Sequence, residues 1–189
     1  MIENWVTPDM RNPTTFFKTC LENKQRRKAS LRDVIIELGS KVKLDPFNTD
    51  LLHELATSHM EFDDESSSFA RSIYDQIITI NPQDYKAHAE LGSYFELEQN
   101  DLRKAEQHYQ KSVEFSPEEE AWSCLVLADF YSGQERFEDA EKMYKEALQR
   151  EGSAKVHYQA GLFYTKVGDK AKAIKHLERS EAMFIETDD

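Results

Sequence analysis

Three short stretches carry residue types that could do chemistry. "HELATSH", residues 53–59, sets His53 and His59 around Glu54, the types a helical zinc protease uses for its metal and its general base. Such a zinc pair needs histidines four apart on one helix face, whereas these stand six apart and point to different faces. "KQRRKAS", residues 24–30, is a basic island that could serve nuclear import or offer Ser30 to a basophilic kinase. Its plainer reading is a solvated turn between two helices, closed by a capping serine. The acidic runs "EFDDE" and "PEEEA" fall at turns or helix starts, where negative charge suits the helix dipole without any partner. Cys20 and Cys124 are far apart in the chain and lack metal-ligand spacing. Both read as small hydrophobes in a reducing compartment, cytoplasmic or also nuclear. No phosphate-cradling glycine loop, no Ser-His-Asp order and no Cys-His nucleophile pattern occurs. The expectation is a protein without catalytic residues, metal or cofactor, and not an enzyme.

What positions residues in this chain is repetition. Ala70, Ala105, Ala140 and Ala173 are spaced 35, 35 and 33 residues apart. Four residues after each stands Tyr74, Tyr109, Tyr144 or Leu177, and twelve after the first three stand the helix stops Pro82, Pro117 and Gly152. A second series upstream, "ELATSH", "ELGSYF", "VLADFY" and "QAGLFY", carries the small residues Ala56, Gly92, Ala128 and Gly161. His88, Leu91, Gly92 and Phe95 follow the i, i+3, i+4, i+7 spacing of one buried helix face. Cys124, Leu127, Ala128 and Tyr131 repeat that stripe, as do His157, Ala160, Gly161 and Tyr164. Each unit thus reads as two helices whose small residues let the axes approach. One unit cannot bury both its faces, so the units must stack. The histidines obey the same register: His88 matches His157 and His108 matches His176, which marks them as structural.

This pattern resembles the tetratricopeptide repeat, a helix–turn–helix unit, over roughly residues 47–186. The resemblance implies an all-α, right-handed α-α superhelix of about four helix pairs with an N-terminal helical cap. Residues 1–12 are expected to form an arm and residues 13–45 a divergent pair of helices, with Ser30 and Asp33 capping the second. Residues 46–186 then form the repeat domain, in units of about 47–82, 83–117, 118–152 and 153–186. Met183, Phe184 and Ile185, at the end of the last helix, are expected to be partly exposed or covered by another chain.

The resemblance further implies a protein-binding adaptor or scaffold with its groove on the first helix of each pair. One step round from the buried stripe, that groove carries Lys86, Ala89 and Ser93, then Trp122, Leu125 and Asp129, then Lys155, Tyr158 and Leu162. Trp122, Leu125, Tyr158 and Leu162 suit a peptide or helix with apolar anchors. The asparagines and cations with which one subclass clamps the C-terminal carboxylate of heat-shock chaperones have no match here, since Lys86 and Lys155 are the only cations. A fixed structural subunit of an assembly, or a chaperone for one hydrophobic client, are the other readings. A net charge of −12 over 189 residues argues against nucleic acid. The opening residues show no basic-then-apolar signal and no window approaches about 18 apolar residues, so no membrane partner is expected.

Overall fold

Between Pro13 and Gly39 the chain has neither glycine nor proline, and that decides its N-terminal third. The computed structural model describes residues 13–62 and 67–186, and in it Pro13–Leu44 is one unbroken helix, α1. The helical pair expected over residues 13–45 is therefore a single rod. Lys, Gln, Arg and Ala at residues 24–29 all favour helix, and Ser30 lies in its interior, not at a cap. Pro13 opens the helix where its missing N–H costs nothing, and Lys41 and Lys43 suit the negative end of the dipole. The expected arm, residues 1–12, lies outside the described residues.

Two compact units divide the chain, residues 1–81 and 82–189. In the first, α1 packs on α2 (Thr49–Phe62), and α2 packs on α3 (Ser67–Ile80). Leu38 of α1, Leu52, Leu55 and Ala56 of α2, and Ala70, Tyr74 and Ile77 of α3 are its buried apolar residues. The basic island is docked at the end of α2: Arg27 reaches Glu61 at 3.2 Å, and the Lys28 ammonium stands 5.3 Å from the Phe62 ring. Both members of the ion pair remain solvated, so its contribution is small.

The second unit is three helical hairpins: α4 (Tyr85–Leu97) with α5 (Leu102–Phe115), α6 (Trp122–Gly133) with α7 (Phe137–Arg150), and α8 (Ala154–Val167) with α9 (Lys170–Glu186). Asp84 and Asp101 cap α4 and α5 by accepting from the amides of Ala87 and Lys104. Gly168, at φ 88°, ends α8 in the left-handed conformation that lacks a penalty only for glycine. Within each hairpin the helices cross at the small residues. Ala105 and Ala140 are fully buried, and a Cβ on Gly92 would stand 2.6 Å from the Tyr109 ring. The first helix of each later hairpin then covers the second helix of the one before. Phe130 of α6 meets Tyr109 of α5 at 5.2 Å, and Phe163 of α8 meets Tyr144 of α7 at 4.7 Å, between ring centroids. Among the described residues all nine elements are helices, and the fold is an all-α helical repeat.

Candidate interaction surface

The groove positions split into two groups. Lys86, on α4, is exposed and Ser93 half-buried, but Ala89 between them is buried. Trp122, at the start of α6, is half-buried with its indole edge-on to Tyr85, centroids 6.4 Å apart. Leu125 is only 4% exposed and belongs to the core cluster that includes Val156 and Ala160 of α8. Ala89 and Leu125 are therefore core residues and not groove contacts. The cause is stacking: α4 touches α6, and α6 touches α8, so a residue one step round from the stripe is covered by the next first helix. On α8 no described helix supplies that cover. Tyr158 and Leu162 are 49% and 48% exposed, and Lys155 beside them is exposed too.

These two side chains do not stand alone. Along α9, Ile174, Phe184 and Ile185 are exposed. A shallow cleft of about 450 Å³ lies between the helices, lined by Tyr158, Leu177, Ser180, Glu181, Phe184 and Ile185. At its floor the Ser180 hydroxyl donates to the Ala154 carbonyl at 2.7 Å, which satisfies a buried polar group. Tyr158, Phe184 and Ile185 thus bring exposed apolar groups from both helices to one cleft. Exposed apolar area gathered in this way marks interaction sites.

Polar residues behind the surface hold the hairpins together. Tyr131 donates from α6 to Glu106 of α5 at 3.0 Å, and Arg136 pairs with the other oxygen of Glu106 at 2.9 Å. One repeat later, Tyr164 donates from α8 to Glu141 of α7 at 3.0 Å, and Lys172 reaches Glu141 at 2.9 Å. The Lys172 and Lys145 ammonium groups bonded to Glu141, with the Tyr164 hydroxyl, hold its carboxyl down to about 2. Inside the hairpins, Tyr109 donates to Glu96 at 2.8 Å, and Tyr144 donates to Asp129. Desolvation pushes Asp129 upward against the pull of Tyr144 and Lys166. Asp129, expected as a groove residue, thus serves to anchor α7. Arg150 is a further support: it bonds Ser116 Oγ at 2.7 Å, the Val113, Pro117 and Glu120 carbonyls, and Glu146, tying down the turn before α6. The sequence reading misses these couples, although Glu106 and Glu141 recur 35 residues apart, directly after the repeated alanines.

The matched histidines meet as pairs across their hairpins. His88 and His108 face each other Nδ1 to Nδ1 at 3.1 Å, and His157 and His176 do so at 3.0 Å. His88 Nε2 lies 3.1 Å from the Pro82 carbonyl and so must donate to it. Its Nδ1 is then the acceptor, and His108 Nδ1 carries the shared hydrogen. Burial pushes all four pKa values down, His108 to about 4 with help from neighbouring His88, Lys111 and Lys104. His53 and His59, six apart, instead lie against the rings of Tyr74 and Phe69. Among the described residues no three His, Cys, Asp or Glu side chains gather as a metal site would require. Cys124 is free and buried, and burial pushes its thiol up to about 12, where it acts as a hydrophobe. The Cys20 side chain lies outside the described residues.

Residues 121–150 and 154–183, which hold α6–α7 and nearly all of α8–α9, each match a tetratricopeptide repeat model. These two hairpins are tetratricopeptide repeats. Its fold recurs in a protein of Thermus thermophilus described as a thermophilic TPR protein, TTC0263, at a TM-score of 0.66 and 16% identity over 86% of this chain and 90% of that one. MamA of Desulfovibrio magneticus RS-1 aligns with a TM-score of 0.66 and 17% identity, over 91% of this chain and 97% of the other. BtubC of P. vanneervenii aligns with a TM-score of 0.65 and 22% identity, over 85% and 73%. At these identities the likeness is one of fold. No curated protein sequence matches the chain significantly. Among the described residues no helix is long and apolar enough to cross a membrane.

Proposed function

We propose that this tetratricopeptide repeat protein is a non-enzymatic interaction adaptor that grips a protein partner through apolar anchors on the α8–α9 face. The observation that carries this is the exposure of Tyr158, Leu162, Ile174, Phe184 and Ile185 on one hairpin, with Tyr158, Phe184 and Ile185 lining one cleft, on a fold whose repeats make scaffolds. Lys86, Ser93, Trp122, Asp129 and Lys155 are the remaining groove positions that a bound segment could touch. A carboxylate-terminated tail finds little to hold it there, since Lys86 and Lys155 are the groove's cations and Asp129 accepts from Tyr144. The −12 charge directs the adaptor to neutral or basic protein surfaces and away from nucleic acid. With no helix among the described residues to span a membrane and a buried reduced thiol at Cys124, a cytoplasmic or nuclear working place fits.

Affinity capture from the native cell tests the reading when run with the wild-type chain beside Tyr158→Ser with Leu162→Ser. Both positions are about half exposed, so the double variant should fold normally. Loss of the captured partner in the variant supports the adaptor site. Equal capture by both chains contradicts it.

A further inference from the structure

The three hairpins of the second unit have equivalent outer faces, and two of those faces are occupied. α6 covers the face of α5, and α8 covers the face of α7. Each covering helix seats a phenylalanine on a tyrosine of the hairpin below, Phe130 on Tyr109 and Phe163 on Tyr144. Its next residue, Tyr131 or Tyr164, donates a hydroxyl to the glutamate that follows the repeated alanine, Glu106 or Glu141. On α9 the corresponding positions are Leu177 and Ile174, counted from Ala173 as the others are from Ala105 and Ala140. Eight residues after those alanines, Val113 and Leu148 pack partly buried against the core, while the equivalent on α9 is the exposed Glu181. The last face is therefore written in the same geometry with three changed contacts, the first being Leu177 in place of the tyrosine ring. The carboxylate acceptor has become aliphatic, and one aliphatic contact has become an anion.

We propose that the α8–α9 face receives one amphipathic α-helix of a partner protein, docked as α6 and α8 dock within this chain. That helix carries an aliphatic residue where α6 and α8 carry Tyr131 and Tyr164, and a cation facing Glu181. The aliphatic requirement follows from Ile174: a tyrosine hydroxyl brought there would be buried without an acceptor, which is unfavourable. The basic requirement is charge complementarity to Glu181, which lines the cleft together with Tyr158, Leu177 and Phe184. The proposal rests on the adaptor reading and names the partner's chemistry at that same surface.

The test uses two fluorescein-labelled, helix-stapled peptides spanning residues 153–168 of this chain, one native and one with Tyr164→Leu. Both carry Lys155 and Lys166 and no acidic residue, so they are net basic. Anisotropy titration against the full-length wild-type chain should give saturable binding, with the Tyr164→Leu peptide about fivefold tighter, the worth of one hydrogen bond. Ile174→Glu, at an exposed position that leaves the fold intact, should reverse that order, because a glutamate there accepts the tyrosine hydroxyl. Glu181→Lys should weaken both peptides. An unchanged order in Ile174→Glu, or no saturable binding by either peptide, overturns the proposal. So does sedimentation showing a dimer that Ile174→Glu dissociates, since the occupant is then a second copy. The adaptor reading fails separately, through partner capture that is indifferent to Tyr158 and Leu162.

Discussion

Gly92→Ala probes the closest helix crossing in the second unit. The added methyl would lie 2.6 Å from two ring carbons of Tyr109, whereas carbon atoms in contact sit about 3.5–4.0 Å apart. The ring must retreat by about 1 Å, and it has little freedom to do so. It is 3% exposed, it packs on Phe130, and its hydroxyl is held by Glu96 at 2.8 Å. Overpacking of this kind costs about 1–3 kcal/mol, against which alanine recovers up to about 1 kcal/mol of helix propensity over glycine. A net loss of about 1–2 kcal/mol follows, which for a chain this size lowers Tm by roughly 2–8 °C. Gly161→Ala meets Leu177 Cδ2 and Cγ at 2.7 Å and the Leu177 backbone nitrogen at 3.3 Å, so it should also destabilise, by about 1 kcal/mol, less than Gly92→Ala because Leu177 is only half-buried. Gly39→Ala, inside α1 with nothing within 4 Å, should stabilise by about 0.5–1 kcal/mol. Urea and thermal unfolding followed by far-UV circular dichroism rank the three. A Gly92→Ala chain as stable as wild type, or more so, would refute the crossing geometry described for α4 and α5.

Other perturbations act on the polar supports. Glu141→Gln should cost about 1 kcal/mol and flatten the acid limb of stability. The native carboxyl is held at about 2, below its unfolded value, so its contribution is full above that unfolded value and is lost as pH falls through the native one; urea midpoints from pH 6 to 2 show this. The His88–His108 pair acts at milder acidity. Asp84 favours and Lys104 and Lys111 oppose its protonation, and both rings titrate below their unfolded value, so stability falls as pH drops from about 6.5 towards 4. His88→Cys with His108→Met, copying Cys124 and Met143 of the next hairpin, should remove that part of the slope. Arg150→Lys should destabilise by about 1–3 kcal/mol, because a single ammonium cannot span acceptors on Val113 of α5, on Ser116, Pro117 and Glu120 of the turn, and on Glu146.

The hairpins of the second unit are legible in the sequence because packing imposes the same residue sizes at the same places. Ala105 and Ala140 are equal in size since the axes approach there, and the turn residues punctuate each unit. The N-terminal helix departs from expectation for a local reason. Ser30 and Asp33 look like a cap, but a cap forms only where the preceding chain leaves the helical conformation, and residues 14–29 contain nothing that makes it leave. The groove departs from expectation for a global one. Ala89, Leu125 and Tyr158 are equivalent by register, yet the first two lie under a following helix and the third does not. Register fixes which face a residue occupies, and only the stacking order fixes whether that face is covered. The tyrosine–carboxylate couples are written in the sequence as recurring glutamates, but a polar residue at a helical repeat position looks solvated until its partner on the next hairpin is placed.

Hydrogen–deuterium exchange on the chain with and without its captured partner tests the adaptor account most directly. The account predicts slowed exchange on α8 and α9, around residues 155–162 and 174–185, with the amides near Lys111 on the outward side of α5 unaffected. Protection confined to α5 and α7, with α8 and α9 exchanging as in the free chain, would contradict it.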